Sequence, residues 1–95
     1  MCTVKNVMVF YTDQQRYDSL GCSGNLHART PNIDGIAARG RNYQNHYTVN
    51  PVCMPSRGAF ITGRYPQANG MIDNGVPLPE RELTMPAVFR RNGYR

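Results

Sequence analysis

Apolar positions in this chain fall in short runs that are separated by polar segments bearing glycine and proline. Residues 6–12, NVMVFYT, form a compact apolar run rich in β-branched and aromatic side chains. An apolar run without polar alternation predicts a strand covered on both faces, as in a parallel sheet. The polar, glycine-bearing residues 13–25 then predict a loop at the carboxyl end of that strand, where open α/β sheets bind ligands.

The segment TPNIDGIAARG at residues 30–40 has the pattern of a short helix. Thr30 can cap this helix, Pro31 suits its first turn, and Gly40 can end it. The next segment, RNYQNHYT at residues 41–48, alternates between polar and less polar side chains and predicts a second strand.

Two further helices are predicted in the second half of the chain. Residues 56–63 form about two turns that end at Gly63, and a final helix follows Thr84, which is a suitable cap. Between them, residues 65–83 are rich in proline, glycine and asparagine and predict an irregular loop. The stretch NPVCMP at residues 50–55 also reads as a loop, which would place Cys53 just before a helix.

The order strand, helix, strand, helix, helix is typical of an α/β layered fold. Two strands make a poor sheet with long unpaired edges, and the chain stops at Arg95, where a further strand is expected. We therefore expect residues 1–95 to be the front part of a larger domain, incomplete at its C-terminus.

Composition and charge narrow the classes of partner. The chain has 95 residues, 40% of them hydrophobic, and a net charge of +5, with Lys5 the only lysine among 11 basic residues. Arginine suits phosphate, sulfate or carboxylate, which fits an anionic partner. Arginines on a solvated surface with no specific partner are an equally open alternative. The arginines are scattered and not clustered as in a nucleic-acid-binding stripe, so no nucleic-acid partner is expected. A small basic polyanion-binding module stays open as an alternative of another class.

The cysteine count and the N-terminal segment limit the environment of the protein. Three cysteines without a CxxC pair argue against a disulfide framework and against a zinc site. The N-terminal segment has no apolar stretch long enough for a signal peptide or a membrane span. We expect a cytoplasmic protein without a membrane partner, or a periplasmic one if the true start lies upstream.

Cys53 allows several chemistries when it is considered alone. A phosphatase-type cysteine needs an arginine six residues later, where this chain has Ala59. A papain-like thiol needs a histidine base, and nothing in the sequence places His27 or His46 beside Cys53. A buried structural cysteine remains the simplest alternative.

The residues around Cys53 favour a catalytic role over a structural one; they read CMPSRGAFITGR at residues 53–64. The spacing Cys-x-Pro-Ser-Arg followed by Thr-Gly-Arg resembles the signature of the type I sulfatases. Residues 6–25 resemble the opening strand and metal-binding turn of that family, and residues 30–40 and 84–95 resemble two of its helices. The resemblance implies the alkaline-phosphatase-like fold, an α/β/α sandwich with a mostly parallel central sheet, of which this chain would be the truncated N-terminal part.

The resemblance also implies a nucleophile. A separate formylglycine-generating enzyme would convert Cys53 to formylglycine, whose hydrated aldehyde would attack the sulfur of a small sulfate monoester. Arg57 would hold the reacting oxygens by charge-assisted hydrogen bonds. The lysine and histidine residues that complete the family's catalytic centre lie downstream, so we expect the 95-residue chain alone to be inactive.

The metal site and the substrate contacts follow from the same resemblance. Asp13 and Gln14 would bind a divalent cation together with the modified Cys53, with Ca²⁺ expected ahead of Mn²⁺. Many relatives have two aspartates where this chain has Asp13 and Gln14. Asn74, in a predicted turn, is a candidate substrate contact. A phosphonate monoester or phosphodiester hydrolase and a non-catalytic sulfatase-like protein remain alternatives.

Overall fold

The structure, a computed structural model, describes residues 6–95. Four α-helices and two short 3-10 helices account for its regular elements: η1 Tyr17–Ser19, η2 Gly21–Ser23, α1 Pro31–Arg39, α2 Cys53–Thr62, α3 Pro66–Asn69 and α4 Met85–Arg91. The chain divides into two compact units, one of residues 12–47 and one of residues 48–95 together with the segment that ends at Tyr11. Among the described residues, none of these helices is long and apolar enough to cross a membrane.

The two predicted strands are not formed among residues 6–95. A strand exists only where a neighbouring strand accepts and donates its backbone hydrogen bonds, and residues 6–12 and 41–48 have no such neighbour in this part of the chain. Met8 and Phe10 are 80% and 81% exposed, so the prediction that both faces are covered is wrong here. The α/β/α sandwich therefore stays a prediction.

Residues 7–11 nevertheless keep the two-residue period of an extended segment. Val7, Val9 and Tyr11 are about half exposed, whereas the intervening Met8 and Phe10 are far more exposed. Side chains of an extended chain point alternately to opposite sides, so one side of this segment is partly covered by its own unit and the other is open.

In the unit of residues 12–47, one carboxylate joins η2 to the start of α1. Asp34 Oδ1 accepts hydrogen bonds from Cys22 N at 2.7 Å and from Thr30 Oγ1 at 2.9 Å. Thr30 precedes α1 as predicted, but its hydroxyl does not cap the helix and instead accepts from Gly21 N at 2.9 Å. The bond from the Cys22 N–H, supported by the Thr30 hydroxyl, holds the pKa of Asp34 below its usual value.

In the other unit, α2 packs closely against α3 and the chain that follows it. Pro55, Gly58 and Ala59 are the buried residues of α2. A Cβ atom on Gly58 would lie 2.7 Å from Met71 Sδ, so a larger residue here would displace the Met71 side chain. The fully buried Asn69 completes the contact between the two helices.

Asn69 satisfies both ends of its amide inside this unit. Its Nδ2 donates to Thr62 Oγ1 and to the carbonyl oxygen of Arg64, each at 3.2 Å, and its Oδ1 accepts from Met71 N at 2.8 Å. The prediction of an irregular loop over residues 65–83 is correct only in part, because this segment contains the four-residue helix α3. Gly70 follows α3 with a left-handed backbone (φ 85°).

Local sequence signals predict two helix boundaries in this unit correctly. Gly63 ends α2 with φ 67° and donates its N–H to Ala59 O at 2.8 Å, and Thr84 caps α4 by accepting from Ala87 N at 3.4 Å, both as predicted. The start of α2 was predicted three residues too late. The helix begins at Cys53, which therefore lies on a helix and not in a loop.

Candidate active site

Cys53 is the first residue of α2, and its half-buried thiol is not in a disulfide. Asn50 prepares this helix start, because its Oδ1 accepts from Val52 N at 2.7 Å while Val52 itself is extended. The N-terminal end of a helix carries partial positive charge and favours an anion nearby. The Cys53 side chain is also more exposed than is usual for a purely structural cysteine.

The backbone amides at the start of α2 are largely engaged. Met54 N donates to Asn74 Oδ1 and Ser56 N donates to Val52 O, both at 3.0 Å, while Pro55 has no N–H. Attraction of an anion to this end of the helix depends more on the dipole and on nearby side chains.

Asn74 lies beside the active-site helix, where it holds a neighbour of Cys53. Besides the bond from Met54 N to Asn74 Oδ1, the amide of Gly75 contacts Met54 Sδ at 3.2 Å. Gly75 has a left-handed backbone (φ 85°), which glycine adopts without strain. Residues 73–75 are thus joined to Met54 through both its backbone and its thioether, so Asn74 positions the start of α2.

Arg57 lies one helical turn after Cys53. Residues four apart share one side of a helix, with Cβ atoms about 6 Å apart, so the guanidinium can reach an anion attached to residue 53. The Arg57 side chain is exposed, and its guanidinium carbon lies 5.7 Å from the centroid of the Tyr11 ring. This is a cation–π arrangement, in which the face of the ring attracts the positive charge.

Tyr11, which sequence reasoning missed, makes two further contacts with α2. Its hydroxyl lies 3.2 Å from Ser56 Oγ, and its ring meets Phe60 edge to face with centroids 5.0 Å apart. Ser56 Oγ is in turn 2.9 Å from Thr48 Oγ1. Ser56 and Phe60 share a helix face, but no sequence signal shows that this face meets residue 11.

Asp13 and Gln14 lie in the unit of residues 12–47, at an exposed bend. Gln14 is the one residue other than glycine with a left-handed backbone among residues 6–95 (φ 50°), a conformation that costs roughly 1 kcal/mol. Costs of this kind are typical of functional positions. A carboxylate and an amide oxygen at an accessible bend are ligands that Ca²⁺ accepts.

The charges that follow this bend are paired with each other. Arg16 donates to both carboxylate oxygens of Asp18, Nε to Oδ1 at 3.0 Å and Nη2 to Oδ2 at 2.6 Å. The pair lowers the pKa of Asp18 and raises the pKa of Arg16. Within residues 6–95, no group of three or more His, Cys, Asp or Glu side chains is arranged to hold a metal ion.

The remaining sequence candidates have clear positions. Thr62 and Arg64 lie at the end of α2: Thr62 Oγ1 donates to Gly58 O at 2.7 Å, and Arg64 Nη1 donates to both carboxylate oxygens of Glu82 at 2.8 and 2.7 Å. His27 and His46 are exposed. The unit of residues 48–95 thus brings together Cys53, Arg57 and Asn74.

Comparison with known proteins gives the family. The family model described as Sulfatase matches residues 5–95. The chain is 39% identical over 92 residues to an ulvan-active sulfatase of Formosa agariphila, covering 97% of this chain and 18% of that protein. It is 36% identical over 100 residues to mouse steryl-sulfatase (94% of this chain, 16% of that one) and 37% identical over 95 residues to human arylsulfatase A (94% and 19%).

These relatives are much longer than the chain, which spans less than a fifth of the length of each of the three. No solved structure matches it. The family match extends over all of the described residues and includes the whole segment around Cys53. The chain therefore belongs to the sulfatase family, and with it to the alkaline-phosphatase-like α/β class of folds.

Proposed function

We propose that the full-length protein hydrolyses a small sulfate monoester through a formylglycine made from Cys53. The observation that carries this proposal is the position of Cys53 at the first residue of α2, with Arg57 one turn later, in a chain of the sulfatase family. The relatives are named as sulfatases of ulvan, of steryl sulfates and of aryl sulfates, which supports sulfate ester chemistry without selecting one substrate.

Cys53 needs modification for this chemistry, and a formylglycine-generating enzyme is the expected partner. The modification supplies an aldehyde whose hydrate has two hydroxyls, one to attack sulfur with departure of the alcohol and one whose deprotonation expels the sulfate and restores the aldehyde. Residue 53 as cysteine or serine lacks the second hydroxyl. An unmodified thiol at this position is therefore expected to leave the enzyme close to inactive.

The residues around position 53 bind and orient the ester. Arg57 places a guanidinium within reach of a sulfate held at residue 53, and charge-assisted hydrogen bonds to sulfate oxygens are about twice as strong as neutral ones. The start of α2 adds the favourable end of the helix dipole. Asn74 holds the Met54 amide, and contact of the Asn74 side chain with the substrate remains part of the proposal.

Asp13 and Gln14 are the residues of this chain that we propose to hold a divalent cation, with the modified residue 53 as a third ligand. Their oxygens and their exposed bend fit Ca²⁺, and Mn²⁺ is a less expected occupant. When bound, the cation supplies positive charge that polarises the sulfate oxygens. Further ligands would have to come from elsewhere in the full-length protein, since residues 6–95 hold no cluster of three.

The experiment is mass spectrometry of the peptide containing residue 53, from the full-length protein purified from its native host. The proposal expects a mass lower than that of the thiol peptide by the difference between a thiol and an aldehyde. A control sulfatase known to be modified is purified from the same cells. An intact thiol in this protein, with the control converted, would overturn the formylglycine mechanism.

A second candidate is hydrolysis of phosphonate monoesters or phosphodiesters, whose hydrolases in this superfamily resemble this chain in the nucleophile and in the Asp-Gln turn. This chain pairs Asp13 with Gln14 where many sulfatases have two aspartates, so the site carries one less negative charge. Kinetics on aryl sulfate and aryl phosphonate esters with the same leaving group separate the two functions. A higher kcat/KM for the phosphonate ester would replace the sulfatase proposal.

Two non-enzymatic alternatives have distinct signatures. A basic polyanion-binding module would bind polyanions in a salt-sensitive way that survives Cys53→Ser. A non-catalytic sulfatase-like protein would carry neither the modification nor turnover. Salt titration of binding by wild type and Cys53→Ser, alongside turnover measurements, distinguishes both from the enzyme.

A further inference from the structure

We propose that Tyr11 is a positioning residue that orients Arg57 and the start of α2 for the reaction; this inference rests on the proposed sulfatase function. Tyr11 lies in the same unit as Cys53 and touches three residues of α2: Ser56 through its hydroxyl, Phe60 through the edge contact of the rings, and Arg57 through the face of its ring.

The hydroxyl contact has a direction that can be worked out from the proton count. Thr48 Oγ1 donates its single proton to Asn50 O at 2.9 Å. The bond between Thr48 and Ser56 must then be donated by Ser56 Oγ, which has no second proton for Tyr11. Tyr11 is therefore the donor to Ser56. A chain of hydrogen bonds, the Tyr11 relay, then runs from Tyr11 through Ser56 and Thr48 to Asn50.

This relay ends at the residue that prepares the start of α2. The carbonyl oxygen of Asn50 accepts the last hydrogen bond of the Tyr11 relay, from Thr48 Oγ1. The side-chain oxygen of Asn50 accepts a hydrogen bond from the N–H of Val52, the residue directly before Cys53. Because the Tyr11 hydroxyl donates its proton in the hydrogen bond to Ser56, it is not placed to protonate a leaving group. Its role is to hold the approach to Cys53 in one arrangement.

The ring of Tyr11 acts on Arg57. An exposed arginine has many rotamers and loses about 2 kcal/mol of conformational freedom when it is held in one of them. The ring face 5.7 Å from the guanidinium carbon favours rotamers that keep the cation near the start of α2. A sulfate bound at residue 53 then meets an arginine whose freedom is already reduced.

The test uses the full-length protein with two substitutions at position 11 and one at position 57. Tyr11→Leu removes the ring and the hydroxyl, Tyr11→Phe keeps the ring, and Arg57→Ala removes the proposed target. Tyr11→Leu should lower kcat/KM on an aryl sulfate about fivefold, the size of an exposed cation–π contact. Tyr11→Phe, which keeps the ring but removes the hydrogen bond to Ser56, should lower kcat/KM by a smaller factor. Tyr65→Leu, at an exposed tyrosine of the same unit, is the matched control and should leave kcat/KM unchanged.

The decisive measurement is the double-mutant cycle. If the ring of Tyr11 acts through Arg57, Tyr11→Leu lowers kcat/KM and weakens inhibition by inorganic sulfate by a smaller factor once Arg57 is alanine. A general structural defect would instead lower activity by the same factor in both backgrounds, and that result overturns the proposal. Loss of activity in both Tyr11 variants alike would overturn the role of the ring.

The same experiment separates this inference from the proposed function. Formylglycine content and sulfate ester turnover of the wild type are measured first, and their absence overturns the sulfatase function and the Tyr11 role together. Turnover in the wild type without coupling between positions 11 and 57 overturns the Tyr11 role alone.

Discussion

Replacing Asn69 by alanine tests how the helix that carries Cys53 is held. The Asn69 side chain is 0% exposed and makes three hydrogen bonds, to Thr62, to Arg64 and from Met71. Alanine removes all three and leaves the buried amide of Met71 without its acceptor. Each lost bond costs about 1 kcal/mol and an unsatisfied buried amide somewhat more, so a destabilisation of about 3 kcal/mol is expected.

The assay is hydrogen exchange, followed by mass spectrometry, on peptides from α2 and α3 in the full-length protein. About 3 kcal/mol corresponds to an increase of roughly a hundredfold in the exchange rate of amides that exchange by opening of this unit. Gln67→Ala is the matched control, because Gln67 lies on α3 with an exposed side chain.

Equal exchange in Asn69→Ala and Gln67→Ala would refute this reasoning. It would mean that water or a neighbouring group replaces the lost bonds without cost, and that the contact between α2 and α3 rests on Pro55, Gly58 and Ala59 alone.

Four further perturbations have expected outcomes. Gly58→Ala places a methyl group against Met71 Sδ and should destabilise by about 1–3 kcal/mol in urea denaturation; an unchanged midpoint would contradict the close packing. Because Asp34 has a folded-state pKa below its value of 3.8 in the unfolded chain, its stabilisation is present above that pH and is lost as the pH falls through the folded pKa. Asp34→Asn should therefore flatten the acid limb of the stability curve, and an unchanged slope there would exclude this role. Removing calcium with a chelator should abolish turnover, and Gln14→Asp should tighten calcium binding through added charge, measured by calorimetry against Asp13→Ala; equal affinity in all variants would place the metal elsewhere.

Sequence patterns are sufficient to predict a structural feature when the residues that determine it lie close together in the chain. The end of α2 at Gly63 and the cap of α4 at Thr84 depend on one residue and its neighbours within a helical turn, and the sequence predicts both. The motif of residues 53–64 indicates the family for the same reason, since all of its residues lie close together in the chain. The start of α2 is predicted too late because Asn50 begins the helix through a side-chain bond that no standard capping signal marks.

Long-range partners cannot be predicted in the same way. The apolar residues 6–12 predict a strand correctly only if another strand lies beside them, and residues 6–95 provide none. Asn69 has the sequence pattern of an ordinary turn residue, and only the fold brings Thr62 and Met71 around it. Tyr11 reads as one more apolar strand position, and its contact with Arg57 spans 46 positions of sequence.

The open side of residues 7–11 has a practical consequence for handling this 95-residue chain by itself. Met8 and Phe10 expose apolar side chains to solvent on the same side of this segment, and exposed apolar surface favours association with a second copy. The net charge of +5 keeps copies apart at low ionic strength, but at about 0.1 M salt repulsion is screened beyond about 10 Å. Added salt, which normally helps purification, should therefore drive this chain toward aggregation.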